Sequence, residues 1–494
     1  MPLDRGTRVP TERQIVASGQ RRMSTGRKGS RRTGGEGSMT QTFFFDSALL
    51  PNGWGRSVRI ETAGSVIARV GADATRRAGD RHEPLVIPGL STVHSHAFQR
   101  AMAGLSERRG ASGQDDFWSW RELMYRFLAR LEPEDIEAIA NYAYADMLEA
   151  GFTSVGEFHY LHRTPQGGWY DNPAELAVRH LSAAEATGIG LTLLPVFYES
   201  SQFGGEPPTA GQRRFITDLD SFARIIDDVH RLSHRADGAR IGVAAHSLRA
   251  VTADHLFTLA RRYPDRPIHI HAAEQLKEVR DCVAYCGQRP VEWLLRNVGL
   301  NARWCLVHAT HMTAEETRGL ARSGAVAGLC PSTESNLGDG IFPARAYIEG
   351  GGRWAIGTDS HITLDAAAEL RQLEYSQRLE LHSRNVLSTA DSPSTGRSLF
   401  ESALRGGAQA MGQAVGAIAP GHRADFLVLD EGHPDLVGRS EDAILDTWEF
   451  VVGRSLIRSV IAGGQIVVEA HRHRARERID ANYRRTMQRL MSGA

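Results

Sequence analysis

The chain has 494 residues, with Lys+Arg and Asp+Glu balanced at 58 each and 41% hydrophobic residues. That length buries a large core, in two or three domains or in one barrel with additions, and the charge balance gives no reason to expect a nucleic-acid or acidic-membrane partner. Four cysteines (Cys282, Cys286, Cys305 and Cys330) are too few for a disulfide scaffold, and no apolar run approaches the roughly 18 residues of a membrane span. A soluble, cytoplasmic protein with free or buried thiols is expected.

Residues 1–38 carry nine basic residues against Asp4, Glu12 and Glu36, among Ser, Thr and Gly with almost no aliphatics. Such a segment cannot bury enough apolar surface to fold. It is read as a disordered basic extension or a start placed too early, since Met39 opens the first foldable run. From 39 to 87 short alternating strands are predicted at Thr42–Phe45, Ser57–Glu61 and Ser65–Val70. They make a β unit too small to bury its own core. Its missing half is expected at 411–470, where Asp425–Leu429, Ile457–Ile461 and Gln465–Glu469 read as strands. The two segments should share one small β-sandwich, and 471–494 should form a C-terminal helical tail.

Between them, over 88–410, eight apolar strands alternate with helical stretches such as Pro133–Glu149, Pro173–Thr187 and Asp254–Arg262. The first strand ends at His94; the others are Ser154–Phe158, Leu191–Val196, Ile241–Ala245, Ile268–His271, Cys305–His308, Ala325–Leu329 and Trp354–Thr358. Eight such units imply an α/β fold, a closed TIM-like (β/α)₈ barrel, with its active site at the C-terminal ends of the strands.

Those ends carry the chemistry. Strand one runs into His94-Ser95-His96, and on an extended strand residues i and i+2 point to the same side. The pair alone is a weak signal: the chain has 20 histidines, and His471-Arg472-His473 repeats the spacing in an arginine-rich tail. Strand five ends in His269-Ile270-His271 and is followed by Glu274, strand six ends in His308, and strand eight runs into Asp359-Ser360-His361. Three histidines and an aspartate suit a zinc ion that keeps a position for water. His94, His96, His271 and Asp359 are therefore expected to hold one divalent metal ion per subunit, Zn²⁺ foremost. His269 is read as a non-ligand, because His271 sits nearer the strand end. Glu274 is placed as a proton shuttle, Asp359 as a second proton acceptor, and His308 as the group that orients the water or offsets developing charge. Asp359 could instead cap the helix that follows, and His308 could be a satisfied core histidine.

This pattern resembles the amidohydrolase superfamily. Its two-metal members bridge the ions with a carboxylated lysine, whereas here the only lysine between the first and eighth strands is Lys277, on a helix. The resemblance therefore implies the one-metal, deaminase branch. The other zinc-deaminase signature, H-x-E with PCxxC, is absent. Within the branch, HSHAFQRAMAGLSE (from His94), CPSTESNLGDGIFPA (from Cys330) and TDSHITLDAAAELRQLEYSQRL (from Thr358) are similar to the formimidoylglutamate deiminase family. The resemblance runs from about Met39 to the C-terminal region. It implies hydrolysis of N-formimidoyl-L-glutamate to N-formyl-L-glutamate and ammonia in histidine degradation, with Gln99, Arg121, Tyr160, His246 and Arg249 holding the glutamate moiety. Arginine forks suit the two carboxylates of such a substrate, and Arg249 stands at a strand end, although Arg121 and Tyr160 could equally be surface or packing residues. Two rivals remain open. One is another mononuclear deaminase of guanine, cytosine or adenosine type; the other is a non-catalytic barrel scaffold, which would tolerate eroded ligands. A homodimer is expected on the general prevalence of that state.

Overall fold

The computed structural model describes residues 40–109 and 115–492, so the basic segment 1–38 lies outside the described residues. Two sheets organise the rest. The first takes Thr42–Leu50, Gly53–Ala63, Val66–Gly71 and Arg81–Pro88 from the N-terminal side, and Phe426–Leu429, Ile457–Ala462, Gln465–Glu469 and Arg472–His473 from the C-terminal side. The halves join where Phe426 pairs antiparallel with Pro88. The expected sandwich takes the form of one continuous mixed sheet curled on itself. Ile67 N–H donates to His422 O, and Ala424 N–H to Ser65 O, both at 2.8 Å, which brings the far edge back across. The fold encloses Phe43, Phe45, Val58, Ile60, Phe426, Val428 and Ile461. Neither terminal segment has the strands to bury these side chains alone.

The strand Arg81–Pro88 runs straight into the barrel, and the apolar run in the sequence hides the handover. It falls at Gly89, where a Cβ would lie 2.2 Å from Thr153 Oγ1, so only glycine fits. The eight barrel strands are Leu90–Ser95, Phe152–His159, Gly190–Phe197, Val243–Ser247, Ile268–Ala272, Trp304–His308, Val326–Leu329 and Arg353–Ile356. Adjacent strands pair in parallel. Every residue of the second and third strands is buried, as expected when helices cover the outside and side chains fill the inside.

The barrel closes at the residues singled out by their motif. Thr358 and Asp359 both donate their amides to the His94 carbonyl at 3.0 Å, and Ser95 pairs with Asp359 in a parallel bridge. Gly357 permits this contact, since a Cβ there would come within 2.8 Å of His94 Cβ. The floor is sealed by the end of the helix Thr395–Met411: Ala410 and Met411 pack against Val93, Cys305, Val326 and Ala355. His269 donates to Ala410 O (2.9 Å) and Thr192 to Met411 O (2.9 Å) at that end. His269 thus faces the floor while His271, two residues on, faces the mouth. Among the described residues no helix is long and apolar enough to cross a membrane.

Candidate metal centre and active-site pocket

Strands one, five and eight bring four side chains to one point. His94 Nε2 lies 3.1 Å from His96 Nε2 and 3.0 Å from His271 Nε2. Asp359 Oδ1 lies 3.4 Å and 3.3 Å from the Nε2 atoms of His94 and His96. The other nitrogens decide what these atoms are. His96 Nδ1 sits 2.9 Å from Phe158 O and His271 Nδ1 2.9 Å from His246 O, and only a protonated nitrogen can donate to a carbonyl. Both Nε2 atoms therefore present lone pairs. His94 Nδ1 has no hydrogen-bond partner among the described residues, so its one proton can sit on either nitrogen. With it on Nδ1, three imidazole lone pairs and the Asp359 carboxylate face one point at 3.0–3.4 Å, an arrangement that a cation among them stabilises. The spacing suits zinc–nitrogen bonds of roughly 2.0–2.1 Å, and carbonyl-anchored imidazoles are the usual support for such ligands. Burial, with neighbouring imidazoles, pushes His94 and His271 well below the ordinary histidine pKa; burial likewise lowers His96. All three are neutral donors. The set fits a divalent metal ion.

Beside the centre stand His308 and Glu274. His308 Nε2 is 3.7 Å from both Glu274 Oε1 and Asp359 Oδ2. Its Nδ1 is 3.3 Å from Glu334 Oε1, a carboxylate that also accepts the Cys330 amide at 2.9 Å. Burial alone would lower His308, but Glu274, Glu334 and Asp359 outweigh it and raise its pKa. Glu274 is itself pushed up to about 7 by burial, so it exchanges a proton near neutrality. Its loop is held by Glu278, which accepts the amides of Ala273 and Glu274 at 3.2 Å each. Cys330 also comes within ligand reach of His308 and Asp359, but burial keeps it a thiol.

Backbone strain concentrates here. Ala273, His308, Ala309, Asp359 and His361 all have positive φ, between 43° and 66°. Each costs roughly 1–3 kcal/mol and persists only where the surroundings over-determine it, as at functional sites.

One pocket opens above the centre. It is lined by Gln99, Arg121, Tyr160, His246 and Arg249 together with His96, His271, Glu274, His308 and Asp359. The structure therefore brings together every residue expected at the site, with His94 fully buried beneath. Gln99 donates to the Tyr160 hydroxyl at 3.2 Å and keeps Oε1 unpaired. Arg249 is buried, has no ion-pair partner among the described residues, and leaves Nε without an acceptor. The walls that sequence reasoning missed are aromatic: Phe117, Trp120, Tyr125, Tyr198 and Phe215. Phe117, Trp120 and Tyr125 lie on the amphipathic helix Phe117–Leu128, whose spacing marks a helix but not which cavity it faces, while Tyr198 follows the last residue of strand three and was accessible to the strand-end rule. The two residues after Asp359 are held by other side chains. Ser360 pairs with Thr333 Oγ1 (2.9 Å) and His361 Nε2 with Ser95 Oγ (3.0 Å). The tail motif is structural, with His473 Nε2 against Thr187 O at 2.9 Å.

Behind the HxH segment lies Glu157, whose carboxylate accepts Ser95 Oγ (2.6 Å), Ala97 N–H (2.9 Å) and Tyr144 OH (3.2 Å). Burial raises it from 4.5 to about 7 despite these bonds. An acid with a raised folded pKa favours the folded state below its unfolded value and loses that advantage as pH climbs from 4.5 to 7. We expect Glu157→Gln, compared with the parent by urea denaturation of metal-free protein, to gain up to ~3 kcal/mol in relative stability between pH 5 and pH 8. A difference independent of pH would show that Glu157 is already ionised at pH 5.

Comparison with known proteins identifies the family. Residues 85–467 match the model of the amidohydrolase family, and residues 40–83 match "Formimidoylglutamate deiminase HutF, N-terminal domain". The chain is 51% identical over 437 residues to a formimidoylglutamate deiminase of Pseudomonas aeruginosa, covering 88% of this chain and 96% of that one. It is 30% identical to an 8-oxoguanine deaminase of the same organism, over 76% of this chain and 81% of that one. Among solved structures, an amidohydrolase from Brucella melitensis superposes with a TM-score of 0.87 at 47% identity, covering 91% of this chain and all of that one. A zinc-bound adenosine deaminase from Xanthomonas campestris shares the fold, with a TM-score of 0.76 at 21% identity over 92% of this chain and 98% of that one. The chain belongs to the amidohydrolase family and, within it, to the formimidoylglutamate deiminases.

Proposed function

We propose that this protein hydrolyses N-formimidoyl-L-glutamate to N-formyl-L-glutamate and ammonia, a step of histidine degradation, in the cytoplasm and with zinc as its metal. His94, His96, His271 and Asp359 would hold the ion. When bound, it supplies Lewis acidity, drawing the pKa of a water towards neutrality. The observation that carries the substrate reading is Arg249, a buried guanidinium facing the pocket without an ion pair. Buried charges are normally paired, so the missing anion is assigned to the substrate. Arg121, also on the pocket wall with an unpaired Nε, serves the second carboxylate. Gln99, Tyr160 and His246 complete the lining that orients the glutamate moiety.

In the reaction, oxygen from water bonds to the formimidoyl carbon while the carbon–nitrogen bond to the terminal =NH breaks. Both water protons end on that nitrogen, which leaves as ammonia. Glu274 is positioned to carry them, assisted by Asp359, because burial poises it to accept and release a proton. His308, whose pKa the surrounding carboxylates raise, stands between Glu274 and Asp359, where it is placed to offset charge on the tetrahedral adduct.

The test is ammonia release by metal-loaded protein from N-formimidoyl-L-glutamate, with N-formimidoyl-glycine and guanine in parallel. Selective turnover of the glutamate compound is expected, abolished by a chelator and restored by zinc. Equal turnover of the glycine analogue would remove the assignment of a second carboxylate site. Activity on guanine alone would favour a base deaminase, the direction suggested by the relative at 30% identity.

A further inference from the structure

We infer that Trp118 is the positioning residue that arranges the cationic end of the pocket for a dianionic substrate. Three cations share its indole: Arg121 Cζ at 4.5 Å from a ring centroid, Lys277 Nζ at 5.4 Å and Arg249 Cζ at 5.9 Å. They come from three segments. Arg121 lies on the helix Phe117–Leu128 that follows strand one, Arg249 follows strand four, and Lys277 sits on the helix Leu276–Cys286 just past Glu274. One ring thus ties together the loops that carry the carboxylate site and the proton shuttle.

The ring's own place is well determined. Asp116 caps the helix by accepting the amides of Trp118 (3.0 Å) and Ser119 (3.1 Å), which fixes Trp118 in the first turn. The indole is half-buried and lies outside the pocket lining, while Phe117, Trp120 and Arg121 face inward. Trp118 therefore acts through the arginines and not on the ligand.

The chemistry explains why a ring serves here and a carboxylate would not. An ion pair would hold a guanidinium in place but would occupy the N–H donors that must meet the substrate. The face of an indole attracts the cation through its quadrupole and leaves those donors at the rim free. Lys277 is already paired with Asp281, at 2.5 Å. Arg121 and Arg249 have no such partner among the described residues, and the Nε of each is unpaired. The indole also offsets the mutual repulsion of cations that must wait together for an anion.

This inference rests on the reading of Arg121 and Arg249 as carboxylate binders. Its test is steady-state kinetics of metal-loaded Trp118→Leu and Trp118→Phe on N-formimidoyl-L-glutamate, with inhibition by the product N-formyl-L-glutamate as a direct binding readout. In Trp118→Leu both KM and the product inhibition constant should rise about tenfold, ~1.4 kcal/mol, with kcat within about twofold of the parent. Trp118→Phe keeps an aromatic face and should recover most of the loss. Parental KM in Trp118→Leu overturns the inference, as does a fall in kcat at unchanged KM. If Trp118→Leu does not fold, Trp118→Phe with parental kinetics is the expected result, and a Phe variant that folds with a tenfold raised KM overturns the role of the ring face. An Arg249 variant with parental KM would instead remove the underlying carboxylate reading.

Discussion

Glu274→Gln is expected to lower kcat by about 10²–10⁴-fold, the range set by loss of a positioned proton carrier, while metal content stays at the parental level. The side chain is nearly isosteric, and its loop is held through the Ala273 and Glu274 backbone amides, so the substitution leaves the fold in place. The carboxylate stands 3.7 Å from His308 and is not among the groups that converge on the metal point. The expected signature is metal-loaded, folded and slow. The pH profile gives a second reading. Glu274 acts first as a base, so the parent's kcat/KM should fall as pH drops through its pKa. Burial sets that value at about 7 in the metal-free protein, and a nearby divalent cation lowers it, so the acid limb should lie below 7. Elemental analysis with kinetics across pH 5–9 decides the point. A metal-replete variant with undiminished turnover would falsify the shuttle role.

Much of this architecture was legible because burial on both faces leaves a simple trace. Strands such as Phe152–His159 and Gly190–Phe197 are covered by helices outside and side chains inside, and so read as apolar runs with turn residues between them. Given a barrel, the strand-end rule leads to His94, His96, His271, His308, Asp359 and Arg249 with no further information. Other features have no local trace. The division between terminal sheet and barrel at Gly89 lies inside one apolar run, and only the approach of Thr153 marks it. Glu334 reaches His308 from the first turn of the helix Pro331–Leu337, and Glu157 supports the HxH segment from the next strand. Both are pairings between distant segments, which composition and periodicity do not encode. The aromatic walls were missed for the same reason, since Phe117, Tyr125 and Phe215 owe their place to how segments fold over the mouth.

The strained backbone was equally hidden. Asp359 at φ 43° and His308 at φ 66° carry ordinary residue types in a conformation that favours glycine. For Asp359 the hydrogen bonds that close the barrel at His94 supply the compensation. The contact that seals the barrel is also the one that aims the carboxylate, so stability and catalysis draw on a single set of bonds.

Arg249→Met should raise KM for N-formimidoyl-L-glutamate by roughly 30-fold or more, because losing one partner of a buried charge pair costs about 2–5 kcal/mol. The loss should fall on KM rather than kcat, since the carboxylate is bound alike in ground and transition states. Thermal denaturation separates this from a structural role. Burial works against the Arg249 charge, and Glu278 and Glu274 outweigh it and raise its pKa without forming an ion pair with it. With no such contact to lose in the ligand-free protein, replacing the guanidinium by a side chain of similar volume should not lower the melting temperature. The added stability conferred by N-formyl-L-glutamate, present in the parent by mass action, should shrink in the variant. Arg249→Lys keeps the charge but not the planar fork, and should recover only part of the affinity. An unchanged KM would take the carboxylate away from Arg249, and a sharp drop in melting temperature would make it a structural residue. A raised KM at constant melting temperature is the result that identifies an anion site held ready in the absence of its ligand.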